Sequence, residues 1–329
     1  MGLSTAPFLP FADLKIPQPY GTRTRTLRGN QRVRLSQNLN KANFIKLVSQ
    51  SAGNRTNLSS SSETTREKSF NFKVFKAIDP EFLIWFIGFS EGDGAILCYR
   101  NRPLFVLTQK EKKILLLIKD TLGFGVVKDY KGYSRYYVTK LNDLKTLALL
   151  FNGNLLLSHR KTQLERWLHV FNIDINKSSP SISLNDSWLS GFTDAEGCFT
   201  FALENRKDAN KQRVRLRYLL DQKNEEKSLI IIKSLFNGGF VSLRSPISLN
   251  VFRYTINTFK DIDKVIKYFT IFPLKTKKIT SFNLWKKVYL LVKHHHHLSL
   301  SGLDQIKALK TQLIKNNRAT AKTGSSLKD

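Results

Sequence analysis

Residues 85–94 read Trp-Phe-Ile-Gly-Phe-Ser-Glu-Gly-Asp-Gly, and residues 188–197 read Trp-Leu-Ser-Gly-Phe-Thr-Asp-Ala-Glu-Gly. The second stretch repeats the first in kind: Trp, then Gly three residues on, then Phe, a variable residue, an acid, a small residue, a second acid and a Gly. The chain is therefore a tandem repeat. Within each copy the small residues, Gly88 with Gly92 and Gly191 with Ala195, lie four apart and share one helix face. Such a face lets two helices approach with no side chain between their axes. Each copy ends in carboxylates, Glu91 and Asp93 or Asp194 and Glu196, followed by a Gly suited to a left-handed C-cap. A helix C-terminus is the negative end of the macrodipole, so acids there are misplaced. Two misplacements at matched positions imply that something cationic sits there. Helices packed side by side and parallel would make neighbours of Asp93 and Glu196, a carboxylate pair of the kind that binds Mg²⁺. The competing reading of either copy alone is an acidic turn.

The two stretches resemble the LAGLIDADG motif of homing endonucleases, with Gly88 to Gly94 and Gly191 to Gly197 matching its last seven positions. Two motifs in one chain resemble the monomeric, pseudo-symmetric members. The resemblance implies a site-specific double-strand DNA endonuclease of organellar group I introns, with Mg²⁺ held by the second acid of each motif, Asp93 and Glu196. Backbone carbonyls near Gly92 and Ala195 are expected as further ligands. Gln109 and Gln222 match a Gln that orders water beside the metals. Lys278, seven residues before Trp285, matches a catalytic Lys, and the same position in the first half is Arg160. Lys113 matches a further basic position, where the second half has Glu226. The first acids, Glu91 and Asp194, are expected to pack or cap.

Composition agrees on the partner. In 329 residues, 54 Lys and Arg stand against 25 Asp and Glu, a net charge of +29. That excess points to a polyanion, here double-stranded DNA. No long apolar run or basic amphipathic helix supports a membrane partner. Two Cys, Cys98 and Cys198, make neither a disulfide framework nor a zinc site. The four consecutive His, His294 to His297, lie within a helical pattern, and the family often has a Lys-x-His-Leu-like stretch at this place, so they read as structural.

The chain divides into a disordered basic N-terminal extension over 1–75, a first unit over 76–173, a linker over 174–186, a second unit over 187–318 and a flexible tail over 319–329. Up to residue 70 there are 11 basic residues against 3 acids and no sustained hydrophobic period. Arg-rich, acid-poor sequence of this sort suits a mitochondrial or chloroplast transit peptide. An in-frame extension from upstream coding sequence is the alternative. In both units the pattern runs helix, two strands, helix, two strands, helices. The expected fold is thus α+β, a pseudo-two-fold tandem repeat of an αββαββα unit, with two antiparallel sheets forming a saddle. Arg213, Arg215 and Arg217 alternate with Val214 and Leu216, which puts three Arg on one strand face. With Arg135 and Arg253 at equivalent places in the repeat, they are candidate DNA contacts in a major groove. An RNA maturase bound to its own intron RNA and a non-enzymatic basic nucleic-acid-binding protein are the rival readings.

Overall fold

In the computed structural model the described residues are 75, 77–178, 180, 182–205 and 212–321. The expected basic extension, apart from its last residue, and the end of the tail lie outside them.

The first unit starts with helix α1 (Pro80–Asp93). Asp79 caps it by accepting from Glu81 N, and Pro80 supplies a preset first turn. There follow β1 (Gly94–Tyr99), β2 (Arg102–Gln109), α2 (Lys112–Leu122), β3 (Val126–Tyr130), β4 (Tyr133–Val138), α3 (Leu141–Phe151) and α4 (Ser158–Phe171). The second unit repeats the order: α5 (Trp188–Glu196), β5 (Gly197–Asn205), β6 (Gln212–Lys223), α6 (Glu226–Phe236), β7 (Phe240–Leu243), β8 (Val251–Ile256), α7 (Phe259–Ile271) and α8 (Lys278–Lys293). One more helix, α9 (Leu300–Ala321), packs on α8. Each unit holds a four-stranded antiparallel sheet, in the orders β1-β2-β4-β3 and β5-β6-β8-β7. The duplicated α+β architecture is the one the repeat predicts.

Strand alternation decides which face is covered. In β4, Ser134, Tyr136 and Val138 are buried while Tyr133, Arg135 and Tyr137 face the other way. In β6, Leu216, Tyr218 and Leu220 are buried on the helix side, and Arg213, Arg215 and Arg217 point away from it. The closing helices are tied to the first strand of their own sheet by matched bonds. Trp167 Nε1 donates to Leu97 O at 2.7 Å, and Trp285 Nε1 to Thr200 O at 3.0 Å.

The joint between the units is α1 against α5. Neither helix is amphipathic in the ordinary sense; α1 is buried on nearly every side, with Trp85, Phe86, Ile87 and Phe89 fully enclosed. The small residues do what their spacing predicts. A Cβ on Gly88 would lie 2.0 Å from Trp188 O, and one on Gly191 only 1.9 Å from Trp85 O. Backbone thus meets backbone, and an Ala at either place would force the helices apart.

Two local readings need correction. The closing glycines are not left-handed caps: Gly94 has φ −79° and ψ 142°, Gly197 φ −75° and ψ 153°. Each helix runs straight into an extended strand, and Gly is demanded by space. A Cβ on Gly94 would meet Ser90 O at 2.4 Å, and one on Gly197 the Thr193 methyl at 2.3 Å. The His run is not helical either. Helix α8 ends at Lys293, His295 is left-handed (φ 59°), and His296–Leu298 form a 3₁₀ turn. His294, His295 and His296 are exposed and His297 is half-buried.

Candidate active site

The two acids of each motif point in different directions. Glu91 is buried and accepts the backbone N–H groups of Leu156 and Leu157, at the entrance to α4. Asp194 does the same for α8, accepting from Lys275 N at 2.7 Å, Thr276 N at 3.1 Å and Thr276 Oγ1. It also takes the indole N–H of Trp85 across the helix joint at 2.9 Å. The first acids are therefore anchors for the closing helices.

The second acids come together. Asp93 and Glu196 end neighbouring helices, and the Glu196 side chain lies over Gly92, whose Cβ would come within 2.9 Å of its Cγ and 3.5 Å of its Oε1. Burial, then the facing Glu196 charge, pushes the Asp93 carboxyl up to about 7, against the opposing pull of Lys278, Gln109 and Arg160. Burial likewise raises Glu196. Gln109 Nε2 donates to Asp93 Oδ2 at 2.5 Å, and the Gln222 amide bonds to Glu196. Two desolvated carboxylates side by side repel, and each is short of positive charge.

Part of that charge comes from the chain itself. Arg160 Nε and Nη2 donate to Glu91 O and Gly92 O, both at 2.8 Å, and Lys278 Nζ donates to Thr193 O at 3.0 Å and Ala195 O at 2.6 Å. These are the last-turn carbonyls of α1 and α5, where the macrodipole is negative. The cation that the misplaced acids imply is thus present in each unit as a half-buried side chain. Burial lowers the pKa of both Lys278 and Arg160, opposed chiefly by Asp93 for the lysine and Glu91 for the arginine. The Gly92 and Ala195 carbonyls, expected as metal ligands, each accept a hydrogen bond from one of these two residues, which leaves a second lone pair on each oxygen.

The donor set suits a hard divalent cation. Asp93 and Glu196 lie close enough for the Glu196 charge to raise the proton affinity of Asp93; among the described residues there is no cluster of three or more His, Cys, Asp or Glu, so the donors at this place are carboxylate and amide oxygens. A cation held by Asp93 and Glu196 would discharge the repulsion and leave coordination positions for water and phosphate oxygens. Beside the pair opens a cavity of about 460 Å³ lined by Gly92, His159, Arg160, Glu196 and residues 221–225.

The arginines stand on the uncovered strand faces as their alternation requires, but four of the five are engaged by other side chains. Arg253 makes a two-pronged bond to its cross-strand partner Asp221, 2.6 and 2.7 Å, shared with Arg244 at 2.9 Å. Arg215 and Arg217 both reach Glu204, at 3.1 and 3.5 Å. Arg135 lies over the stacked rings of Tyr130 and Tyr133 and reaches Tyr137 Oη at 3.5 Å. Arg213 is exposed. Lys113 and Glu226, in the first turns of α2 and α6, are exposed. The sequence reading passed over Glu204, Asp221, Arg244 and the three tyrosines. Period-two alternation places all of them on the arginine face, so only their pairing needed the structure.

Residues 189–289 match the family model described as LAGLIDADG endonuclease. A Neurospora crassa protein named probable intron-encoded endonuclease 4 is 37% identical over 82% of this chain, which spans 49% of that relative, about half its length. A Schizosaccharomyces pombe protein named for cox1 intron 2 is 28% identical over 80% of this chain and 84% of its own. Among solved structures, the LAGLIDADG meganuclease I-AabMI bound to uncleaved DNA superposes with a TM-score of 0.59 at 22% identity, covering 70% of this chain and 98% of that one. I-SmaMI bound to cleaved DNA gives 0.55 at 21% identity, over 71% and 97%. The paired motif helices, the two sheets they join and the family match have one common reading: residues 189–289 form a LAGLIDADG endonuclease domain, and the first unit repeats its architecture.

Proposed function

We propose that the chain is a site-specific double-strand DNA endonuclease whose reaction centre is Asp93 and Glu196, which would hold Mg²⁺. The observation that carries this is the half-buried carboxylate pair at the joint of α1 and α5. Burial and mutual repulsion make the pair costly to the fold, and a protein that only bound nucleic acid would have no use for it. Bound divalent metal supplies Lewis-acid stabilisation of a phosphodiester undergoing hydrolysis and lowers the pKa of water. The chain's residues do the rest. Gln109 and Gln222 orient the two carboxylates and present amides toward the same space. Arg160 and Lys278 hold positive charge beside the place where a scissile phosphate gathers negative charge. Arg135, Arg213, Arg215, Arg217 and Arg253 contact the duplex on the strand faces, exchanging Glu204 and Asp221 for phosphate or guanine. With one basic residue per unit, each unit serves one strand.

The names of the relatives, which refer to introns, support a coding position within an intron, and with the acid-poor N-terminal composition they favour a mitochondrial protein. The test is linearisation of a supercoiled plasmid carrying the joined exons that flank this reading frame, with Mg²⁺ and with EDTA. Wild type should cut once and only with metal; Asp93→Asn and Glu196→Gln should not cut. Cutting by both variants at wild-type rates would overturn the assignment.

A further inference from the structure

The outer ends of the two reaction half-sites are joined crosswise by a pair of glutamates. Glu111 is the residue before α2 and Glu225 the residue before α6, the N-cap position in both cases, yet neither side chain bonds to a backbone N–H of its own helix. Glu is a poor N-cap because its carboxylate overreaches the first-turn amides. Here the reach is used elsewhere. Glu111 Oε2, in the first unit, accepts Lys277 N of the second unit at 2.8 Å. Glu225 Oε1, in the second unit, accepts His159 N of the first at 3.1 Å and meets His159 Nδ1 at 3.0 Å. The symmetry is residue for residue, because His159 directly precedes Arg160 and Lys277 directly precedes Lys278. Each acid also follows closely on the Gln that orients a carboxylate of its own unit, Gln109 or Gln222.

We propose that Glu111 and Glu225 are positioning residues that set, across the joint, the basic residue of the opposite unit. The proposal rests on the endonuclease reading. Its chemistry is that of a cap in trans: a carboxylate accepting the N–H that opens a helix fixes where that helix starts. The start of α4 fixes the stem of Arg160, and the start of α8 fixes that of Lys278. The head groups of these residues reach the motif carbonyls at 2.6–3.0 Å. Each cation is then set jointly by its own motif acid, Glu91 or Asp194, and by the glutamate of the other half, so the two strand cuts become interdependent. The brackets are unequal. Glu225 is 3% exposed and is held further by Ser228 Oγ at 2.7 Å, whereas Glu111 is half-buried and makes the backbone bond.

The experiment uses the full chain and has two arms. Amide hydrogen exchange without DNA should show faster exchange at residues 276–281 in Glu111→Ala and at 157–162 in Glu225→Ala, with the other segment unchanged in each. Strand-resolved nicking of the joined-exon plasmid in Mg²⁺ should show one strand slowed by roughly ten- to a hundredfold in Glu111→Ala and the opposite strand in Glu225→Ala, the loss expected when a positioned group shifts. Glu111→Gln, whose amide oxygen still accepts a backbone N–H, should restore most of the lost rate. The half-buried Glu111 keeps the test decisive even where Glu225→Ala folds poorly. Unchanged exchange, or equal slowing of both strands as a general loss of stability would give, overturns the proposal. A wild-type chain that cuts nothing overturns the endonuclease reading instead, and the exchange arm still decides whether the brackets exist.

Discussion

Replacing Asp93 by Asn should make the metal-free protein more stable at alkaline pH while abolishing cutting. Asp93 has an ordinary value of 3.8, and burial beside Glu196 lifts it to about 7 in the folded chain. The folded state therefore binds this proton more tightly than the unfolded state. Stability from the group is fully present below pH 4 and is lost as pH rises through 7. At 1.36 kcal/mol per pH unit the whole loss is roughly 4 kcal/mol, of which roughly 3 falls between pH 5 and 8. Asn keeps an oxygen for the Gln109 amide and carries no charge. It leaves an N–H₂ to be satisfied at about 1–3 kcal/mol, so the net gain at pH 8 is about 1–3 kcal/mol.

The assay is calorimetry or urea unfolding in EDTA at pH 5 and pH 8. The amide cost is the same at both pH values, so the comparison isolates the charge. Wild type should lose more stability than Asp93→Asn between the two, by a difference of several degrees in Tm at about 2–4 °C per kcal/mol. Saturating Mg²⁺ at pH 8 should recover wild type by about 2.7 kcal/mol at a hundredfold excess over Kd and leave the variant where it was. Parallel pH curves for the two proteins would refute the claim that a repelling carboxylate pair sits at the joint.

Gly88→Ala or Gly191→Ala puts a methyl about 2 Å from a backbone carbonyl of the other unit, and each should cost at least about 3 kcal/mol in chemical denaturation because both contacts are backbone. Glu225 works in the opposite sense to Asp93. Burial raises it, but bonds from the His159 ring, Ser228 and the His159 amide outweigh that and hold it at about 2. Its contribution is present above 4.5 and lost as pH falls toward 2, so Glu225→Gln should flatten the acid limb of a stability–pH curve. Glu204→Gln frees Arg215 and Arg217; binding to plasmid DNA in EDTA should tighten, with log K falling more steeply against log salt by about one to two phosphate contacts.

How far the sequence carried the fold depends on the distance over which each feature is encoded. The duplicated helix was readable because Trp85 to Gly94 and Trp188 to Gly197 report their own surroundings: small residues four apart demand a backbone neighbour, and terminal acids demand a cation. The arginine face followed from alternation in β6. The backbone of Gly94 and Gly197 was misjudged because a Gly after a helix can serve dihedral freedom or space, and only the Ser90 carbonyl and Thr193 methyl show that space decides. That Arg160 and Lys278 donate to the last-turn carbonyls could not be read locally, because they approach from 68 and 83 residues away. Glu111 and Glu225 left one local trace, a long acid where a short capping residue belongs, and that trace gives no hint of the helix start it serves in the other unit.

The departures from two-fold symmetry belong to a single packing solution. The first motif places its long acid before its short one, Glu91 then Asp93, and the second reverses them, Asp194 then Glu196. The long Glu91 in the anchoring position reaches the entrance of α4, whereas the short Asp194 stays close enough to the joint to bind both the entrance of α8 and the Trp85 indole. Its symmetry mate, the Trp188 indole N–H, is buried without an acceptor among the described residues. The reversal also settles the metal-facing pair. Glu196 extends over Gly92, and the space it fills is the space a side chain at 92 would need. Ala195, across the joint, is tolerated because the residue facing its methyl is Gly92, where a Cβ would come within 2.3 Å of it. Glu196→Asp alone should therefore open a gap over Gly92 and withdraw one carboxylate from the pair. Gly92→Ala should lower stability in urea whether residue 196 is Glu or Asp, because its methyl would lie 2.3 Å from the Ala195 Cβ. A Gly92→Ala chain as stable as wild type would mean that the joint does not hold residue 92 against Ala195.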